Sequence, residues 1–410
     1  MPTTTTLVHR PDEAPQEWWR HGLVYELASP SLSAQDLLDS DQVLDHIVSL
    51  GLGGVLARPS LVDTASRGDM DAVRAFIARA HERDLRVVMR ISGALGPVTG
   101  PLAGRHTAYL TGLEGKGEDL MRRAEAYLRA GAEGIDLGTI IPPEVTDETD
   151  LSALSTYFAR LQALVAAHCD EGFVGADVTA DYPDSLRHHL QEDWIHHLRD
   201  DCLTLVRWDA VSITTHLTQS LAEHARFGAP PAWRLLPSHS LLAELDPGDG
   251  MRWYSTDPEA RVTRGGALQA MMLALPGVLY LRQGDEIAMV DADKPTAPRE
   301  LADLVAEHAR TQSSHLGSSV ATIRHAAHVR RDHALATAPL AFVTGLDWCP
   351  PEALTLLARD VLVVVNLSTS PILLPPEARP LLASGPLGQD EGRIVLPETT
   401  TIWLEASTVA

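Results

Sequence analysis

Only three cysteines, Cys169, Cys202 and Cys349, occur among the 410 residues, and none shares a CxxC spacing with another. That excludes a disulfide framework and a thiolate metal or redox centre, and it points to a reducing, cytoplasmic compartment. Basic residues are also scarce: 33 Lys and Arg face 55 Asp and Glu, a formal charge of −22. Such a surface repels phosphate backbones and anionic headgroups, so neither nucleic acid nor a membrane is an expected partner. No apolar run reaches the roughly 18 residues of a membrane span. The opening MPTTTTLVHRPDEAP has no basic start followed by an apolar stretch, so it reads as a flexible tail over residues 1–19. Aromatic residues make up 5% of the chain, which leaves few rings to serve as sugar-stacking platforms and tilts the expectation toward protein–protein contact. A glycine-rich phosphate loop is missing as well, since GLGG at 51–54 joins a helix to a strand rather than a strand to a helix.

What the chain does contain is 45% hydrophobic residues in a recurring order. HGLVYELA (21–28) reads as a strand, and VLDHIVSLGLGGVLARP (43–59) reads as a helix ending near Gly51 and then a strand. MDAVRAFIARAHERDLRVVMRIS (70–92) repeats this, with Val73, Phe76, Ile77 and Ala80 at helical spacing before the β-rich run LRVVMRI. EDLMRRAEAYLRAGAEGIDLG, YFARLQALVAAHC with GFVGADV, LTQSLAEHARFG with AWRLLP, and GALQAMMLALPGVLYLRQG continue the series. Seven or eight such steps favour a closed (β/α)8 barrel over an open sheet, here spanning residues 20–336. After HAAHVRRDHALA the helical spacing stops, and LAFVTGL, DVLVVVNLS, RIVL and TTTIWLEA predict a small antiparallel β domain over 337–410.

Several stretches, in order, resemble the α-amylase superfamily of retaining α-glycosidases, in its oligosaccharide-hydrolase or trehalose-synthase-like branch. EWWRHGLVYEL is similar to the opening strand, VLDHIVSLGLGGVLARP to "LdYLxxLGvdaiwlsP", RAGAEGIDLG to "rGvDGfRiD", FVGADV to "VGEv", AWRLLPSHS to "xxLsNHD", and ALPGVLYLRQGDEIAM to "lPGtpyiYqGeEiGm". The resemblance implies a (β/α)8 barrel with a C-terminal β-sandwich. It also shows what is missing, because retaining hydrolysis uses two carboxyl groups about 5 Å apart. The positions of the nucleophile, the acid/base and the third acid hold Gly138, Ala176 and Ser240, and only His239 remains of "NHD". The "DxxxNH" region reads Arg90, Ile91, Ser92, Gly93, Ala94, Leu95, the "GYD" that seats the sugar is replaced within SLVDTASRGDM, and residues 94–117 are too short for the family's inserted third domain. That shortening predicts a shallow, open cleft.

The expected function is therefore a non-catalytic binding or regulatory subunit in carbohydrate metabolism, with an active homologue as a hetero-oligomer partner or an α-glucoside as ligand, and with no cofactor or metal. The alternative is a glycosidase or transglycosylase with relocated carboxylates, drawn from Asp136, Asp177, Asp285 and Glu286 near predicted strand ends. With Ala176 at the acid/base position, strand alternation sends Asp177 away from the mouth unless a bulge re-aims it. His188, His189, His196 and His197 read as a solvated helix near Trp194 rather than a metal site, and His239 as a residue facing ligand or water. In the resembling family an acid on the third strand and an arginine on the fourth face each other. Here Arg90 and Asp136 occupy those places with the signs reversed, which predicts a structural ion pair.

Overall fold

The computed structural model describes residues 2–11, 17–29, 31–91, 107–108, 116–140, 151–179, 184–236, 258–289, 293–315 and 317–409. Strand β1 (Thr4–His9) comes first, followed by the barrel strands β2 (Leu23–Glu26), β3 (Gly54–Ala57) and β4 (Arg86–Arg90). The two-residue β5 (Thr107–Ala108) precedes β6 (Gly134–Ile140), β7 (Phe173–Asp177), β8 (His197–Arg199), β9 (Ala232–Arg234) and β10 (Val278–Arg282). The barrel sheet runs β8-β7-β6-β4-β3-β2-β10-β9, with β5 pairing the far end of β6. All its pairings are parallel. A parallel bridge between Asp200 and Trp233 joins the two ends, and Asp200 N–H donates to Ala232 O at 2.9 Å, so the eight main strands close into a ring.

The helices that make this topology possible lie outside the ring. They are α1 (Ala34–Leu38), α2 (Asp41–Ser49), α3 (Arg67–His81), α4 (Lys116–Arg129), α5 (Leu151–His168), α6 (Ser185–Glu192), α7 (Ala210–Arg226), α8 (Pro258–Met272), α9 (Pro298–Ser313) and α10 (Ser319–Asp332). Their starts follow local chemistry. Ser33, Ser66, Asp209 and Ser318 each accept a backbone N–H of the first turn of α1, α3, α7 and α10. The apolar faces read from the sequence are the buried ones: Val73, Phe76, Ile77 and Ala80 of α3 are at most 2% exposed. No helix among the described residues is long and apolar enough to cross a membrane.

Beyond α10, β11 (Leu340–Thr344), β12 (Leu354–Ala358), β13 (Val361–Val365), β15 (Pro380–Ala383) and β18 (Thr401–Glu405) form an antiparallel sheet. β14 (Ile372–Leu373), β16 (Gly388–Asp390) and β17 (Arg393–Leu396) make a small second one. The larger sheet docks on α8, where Trp403 Nε1 donates to Ala270 O at 3.1 Å and Thr401 Oγ1 to Ala267 O at 2.7 Å.

Two expectations need correction. Residues 4–9 are not part of a flexible tail: β1 pairs antiparallel with β11, Thr4 opposite Thr344, and forms one edge of the C-terminal sheet. Its exposed threonines suit an edge strand, and only Val8 and His9 are half-buried. The four histidines do not share a solvated helix either. His188 and His189 lie on α6, while His196 precedes and His197 opens β8, the sixth barrel strand, and His189 and His197 are fully buried. Of the segment 94–117, only β5 and the first residues of α4 are described, so the expected open cleft lies outside the described residues.

Candidate functional site

The barrel interior is filled in layers along its axis. At the N-terminal end the short helix Trp18–Arg20 acts as a plug: Trp19 is 4% exposed and stacks on Phe173 with ring centroids 5.8 Å apart. Above it, Val24, Leu56, Val88, Phe173, Ala232, Val278 and Tyr280 form one apolar cluster. Because strand residues alternate, the next inward positions toward the C-terminal end are fixed two residues on. From Val24 this gives Glu26, from Val88 Arg90, from Phe173 Gly175 and then Asp177, from His197 Arg199, and from Ala232 Arg234. Barrel enzymes keep their chemistry at this end, and here it is occupied by charges.

These charges bind each other. Arg90 Nε donates to Asp136 Oδ1 at 2.6 Å, its Nη1 donates to Glu26 Oε1 at 2.8 Å, and its Nη2 lies 3.6 Å from Asp177 Oδ1. The ion pair expected from the reversed signs is present, but it is one link in a larger chain. Arg199, with no exposed side-chain surface, bridges Asp136 through Nη1 and Asp177 through Nη2, the latter at 2.7 Å. Its guanidinium lies over the Tyr280 ring, 4.5 Å from the centroid, and Tyr280 Oη meets His197 Nε2 at 2.9 Å. Thr139 Oγ1 donates to Asp177 Oδ2, and the Gly138 N–H donates to Asp136 Oδ1 at 2.9 Å.

Burial alone would raise the acids, but the surrounding guanidiniums reverse that. Arg90, Arg234 and Arg199 pull the Glu26 carboxyl down to about 2, and Arg199, Arg90 and Arg234, with the Thr139 hydrogen bond, hold Asp177 far below the usual carboxylate range. Burial opposes the charge on Arg90 and Arg199 too, yet the facing carboxylates raise both. Desolvation pushes Tyr280 up and His197 down, so both stay neutral. A carboxylate whose folded value is depressed stabilises the fold above its unfolded value and loses that contribution as pH falls through the folded one. The carboxylate contribution is therefore expected to be lost between about pH 4.5 and 2, and the buried neutral His197 and His189, which burial pushes down, add a loss that begins as pH falls through about 6.5. Urea unfolding across that range checks it, and Asp177→Asn should flatten part of the slope.

A bulge in β6 sets which residue meets Asp177. The β6–β7 register pairs Asp136 with Gly175 but Thr139 with Asp177, so three residues of β6 advance while β7 advances two. Gly138, at φ +71°, takes the left-handed turn of that bulge, a conformation that strains any residue with a Cβ. Asp177 keeps the face set by Phe173 and Gly175. Ala176, taken from the sequence as the mouth-facing residue, packs instead into the outer core between sheet and helices. The expectation that Asp177 points away from the mouth is thus reversed.

The other sequence candidates lie elsewhere. Glu286, in the short helix Asp285–Ile287, is fully buried behind the barrel wall: Oε1 accepts Tyr25 Oη–H at 2.5 Å and contacts His46 Nε2 at 2.9 Å, and Oε2 accepts the Gly284 N–H at 2.7 Å. Asp285 pairs with Lys294 at 2.7 Å. Both acids hold loops and do not join the mouth cluster. His239 and Ser240, with Ser92, Gly93, Ala94 and Leu95, lie outside the described residues. Among the described residues no group of three or more His, Cys, Asp or Glu is placed to hold a metal. Glu26, Arg199, Arg234, Tyr280 and Thr139 were missed, although a charged residue two positions from an apolar one within a barrel strand is a readable sign of an inward-facing charge.

Solved structures with the same closed (β/α)8 barrel and C-terminal sheet superpose along nearly the whole chain. Eubacterium rectale Amy13B matches with a TM-score of 0.63 at 12% identity, covering 97% of each chain. The Bacillus licheniformis trehalose-6-phosphate hydrolase matches at 0.59 and 13%, over 94% of this chain and 99% of that one. A cyclic alpha-maltosyl-(1→6)-maltose hydrolase from Arthrobacter globiformis matches at 0.55 and 15%, over 96% and 99%. At such identities the likeness establishes the fold. No family profile matches the sequence, and no curated protein matches it either.

Proposed function

We propose that this chain uses an α-amylase-type barrel without its hydrolytic chemistry and acts as a binding or regulatory subunit in carbohydrate metabolism. The observation that carries this reading is that the acids at the barrel mouth are already committed. Asp136 and Asp177 are each held by both Arg90 and Arg199, and Glu26 is held by Arg90. A general acid for glycosidic oxygen needs a proton near neutral pH, whereas Glu26 sits at about 2 and Asp177 is far below its usual range. A nucleophilic carboxylate at position 138 is replaced by a glycine whose backbone role is the bulge.

Purified protein is expected to show no turnover of maltose, trehalose, sucrose or aryl α-glucosides above background. Gly138→Asp should not create activity and should cost about 1 to 2 kcal/mol, the strain of a Cβ in the left-handed region. Hydrolysis abolished by Asp136→Asn or Asp177→Asn in a folded protein would sink the proposal. The regulatory part predicts a cytoplasmic partner, an active relative of the same barrel type. Native lysate run by size exclusion at physiological salt should place the chain in an assembly larger than its 44.4 kDa, and a free monomer would remove that part.

A further inference from the structure

Outside the barrel interior, a cavity of about 280 Å3 opens between the β2–α1 connection and the start of α9. Its floor is Leu27, Leu32 and Leu37, each at most 7% exposed, together with Gln283, 4% exposed. The wall backs directly on the mouth, since Leu27 follows Glu26 and the Gln283 N–H donates to Glu26 O at 2.8 Å. Gln283 Oε1 accepts the Ala28 N–H at 3.3 Å, but its Nε2 makes no hydrogen bond among the described residues. Leaving one donor of a residue this buried open to a cavity is costly unless a ligand or water takes it.

The rim supplies both signs. Asp39 and Asp303 are exposed carboxylates. Arg299, one turn before Asp303 on α9, is exposed and makes no ion pair with it. Ala297 caps α9 without a side-chain acceptor, so the N–H groups of Arg299 and Glu300, though not Pro298, add donors on the same side. The other lining acids are occupied: Asp36 caps α1 through Ser33, and Asp41 pairs with Arg79 and Arg83, while Asp39 accepts one bond, from Gln35 Nε2 at 3.0 Å through Oδ1. An anion would meet Asp39 and Asp303, while a cation would meet Arg299 and the Gln283 amide. A hydroxyl group both donates and accepts, so it meets the mixture without bringing a charge. We infer that this cavity binds a neutral polyhydroxy compound of single-ring size, its ring over the leucine floor and one hydroxyl on Gln283 Nε2. The volume lies just under the roughly 300 Å3 at which pockets begin to hold drug-sized ligands, which sets the size of the occupant.

The test is saturation-transfer NMR on the full chain with D-glucose and myo-inositol as probes at millimolar concentrations, against spermidine and inorganic phosphate. Both polyols should show saturable transfer and the charged probes none. Gln283→Leu should weaken binding about tenfold, the worth of one hydrogen bond. Ala302→Trp, which fills the cavity from a half-buried position on α9, should abolish binding with the melting curve unchanged. No transfer to either polyol, transfer that survives both substitutions, or saturation by spermidine or phosphate instead overturns the inference. An active mouth would leave these outcomes as they are, because the cavity lies outside the barrel ring.

Discussion

Arg199→Met is expected to remove about 3 to 5 kcal/mol of unfolding free energy, because it strips a wholly buried cation from two buried carboxylates at once. A shift in the urea midpoint at constant slope measures it. Asp136→Ala should cost a similar amount, since Arg90 Nε and Arg199 Nη1 both lose their acceptor. The sequence alone predicts relief when Arg90→Met is combined with Asp136→Ala, as for an isolated pair. The structure changes that expectation. The double variant still leaves Arg199 with Asp177 as its remaining acid, and it takes Arg90 from Glu26. The two substitutions should therefore couple weakly, with the double variant no more stable than Asp136→Ala. Recovery to within about 1 kcal/mol of the native protein would show that Arg90 and Asp136 act as a closed pair.

The second large effect is expected at Arg330 on α10, 2% exposed and, among the described residues, without a carboxylate beside it. Nη1 donates to Leu273 O at 2.8 Å and to Leu275 O, and Nη2 donates to Gly277 O. One side chain thus ties down the carbonyls of the turn that leads from α8 into the last barrel strand. That turn has no slack: Gly277 sits at φ +92°, and a Cβ there would lie 2.0 Å from Pro231 O. Burial pulls the guanidinium down to about 9, so it remains charged at neutral pH. Arg330→Met should orphan three buried carbonyls at about 1 to 3 kcal/mol each, for a loss of at least about 3 kcal/mol. Arg330→Lys should recover only part, because an ammonium lacks the planar fork that reaches three oxygens. Calorimetric melting of both variants decides it, and a Met variant that melts with the native protein would contradict this account.

Much of the fold was legible because helix and strand periods are set by what they bury. The α3–β4 unit shows this: its apolar spacing at Val73, Phe76, Ile77 and Ala80 and its run RVVMR map directly onto the observed elements. The sixth barrel strand was not legible. It is three residues long, His-Leu-Arg, with aspartates after it and no β-branched run to mark it. The strand at Thr4–His9 was hidden for a different reason, since its partner lies at the other end of the chain. At the mouth, motif alignment pointed to Arg90 and Asp136, which the structure pairs. It misassigned the inward face of β7, because matching letters to a motif ignores the alternation fixed by Phe173 and Gly175. Arg199 and Arg234 escaped because a charge inside a strand is ordinarily read as solvent-facing, and here it faces an interior of opposite charges.

The strand Thr4–His9 also has a consequence for biosynthesis. Thr3 Oγ1 donates to Gly345 O across 342 residues of sequence. A ribosome delivers β1 long before β11, so the segment must wait unpaired while the whole barrel emerges and closes. Pairings this distant make folding slow and leave sheet edges open to other chains in the meantime. Four consecutive threonines keep the waiting segment hydrated rather than adhesive. A bulky fusion ahead of Thr4 would load an edge that can be completed only after the barrel has emerged, so its penalty should appear in the yield of folded protein rather than in the stability of the molecules that do fold.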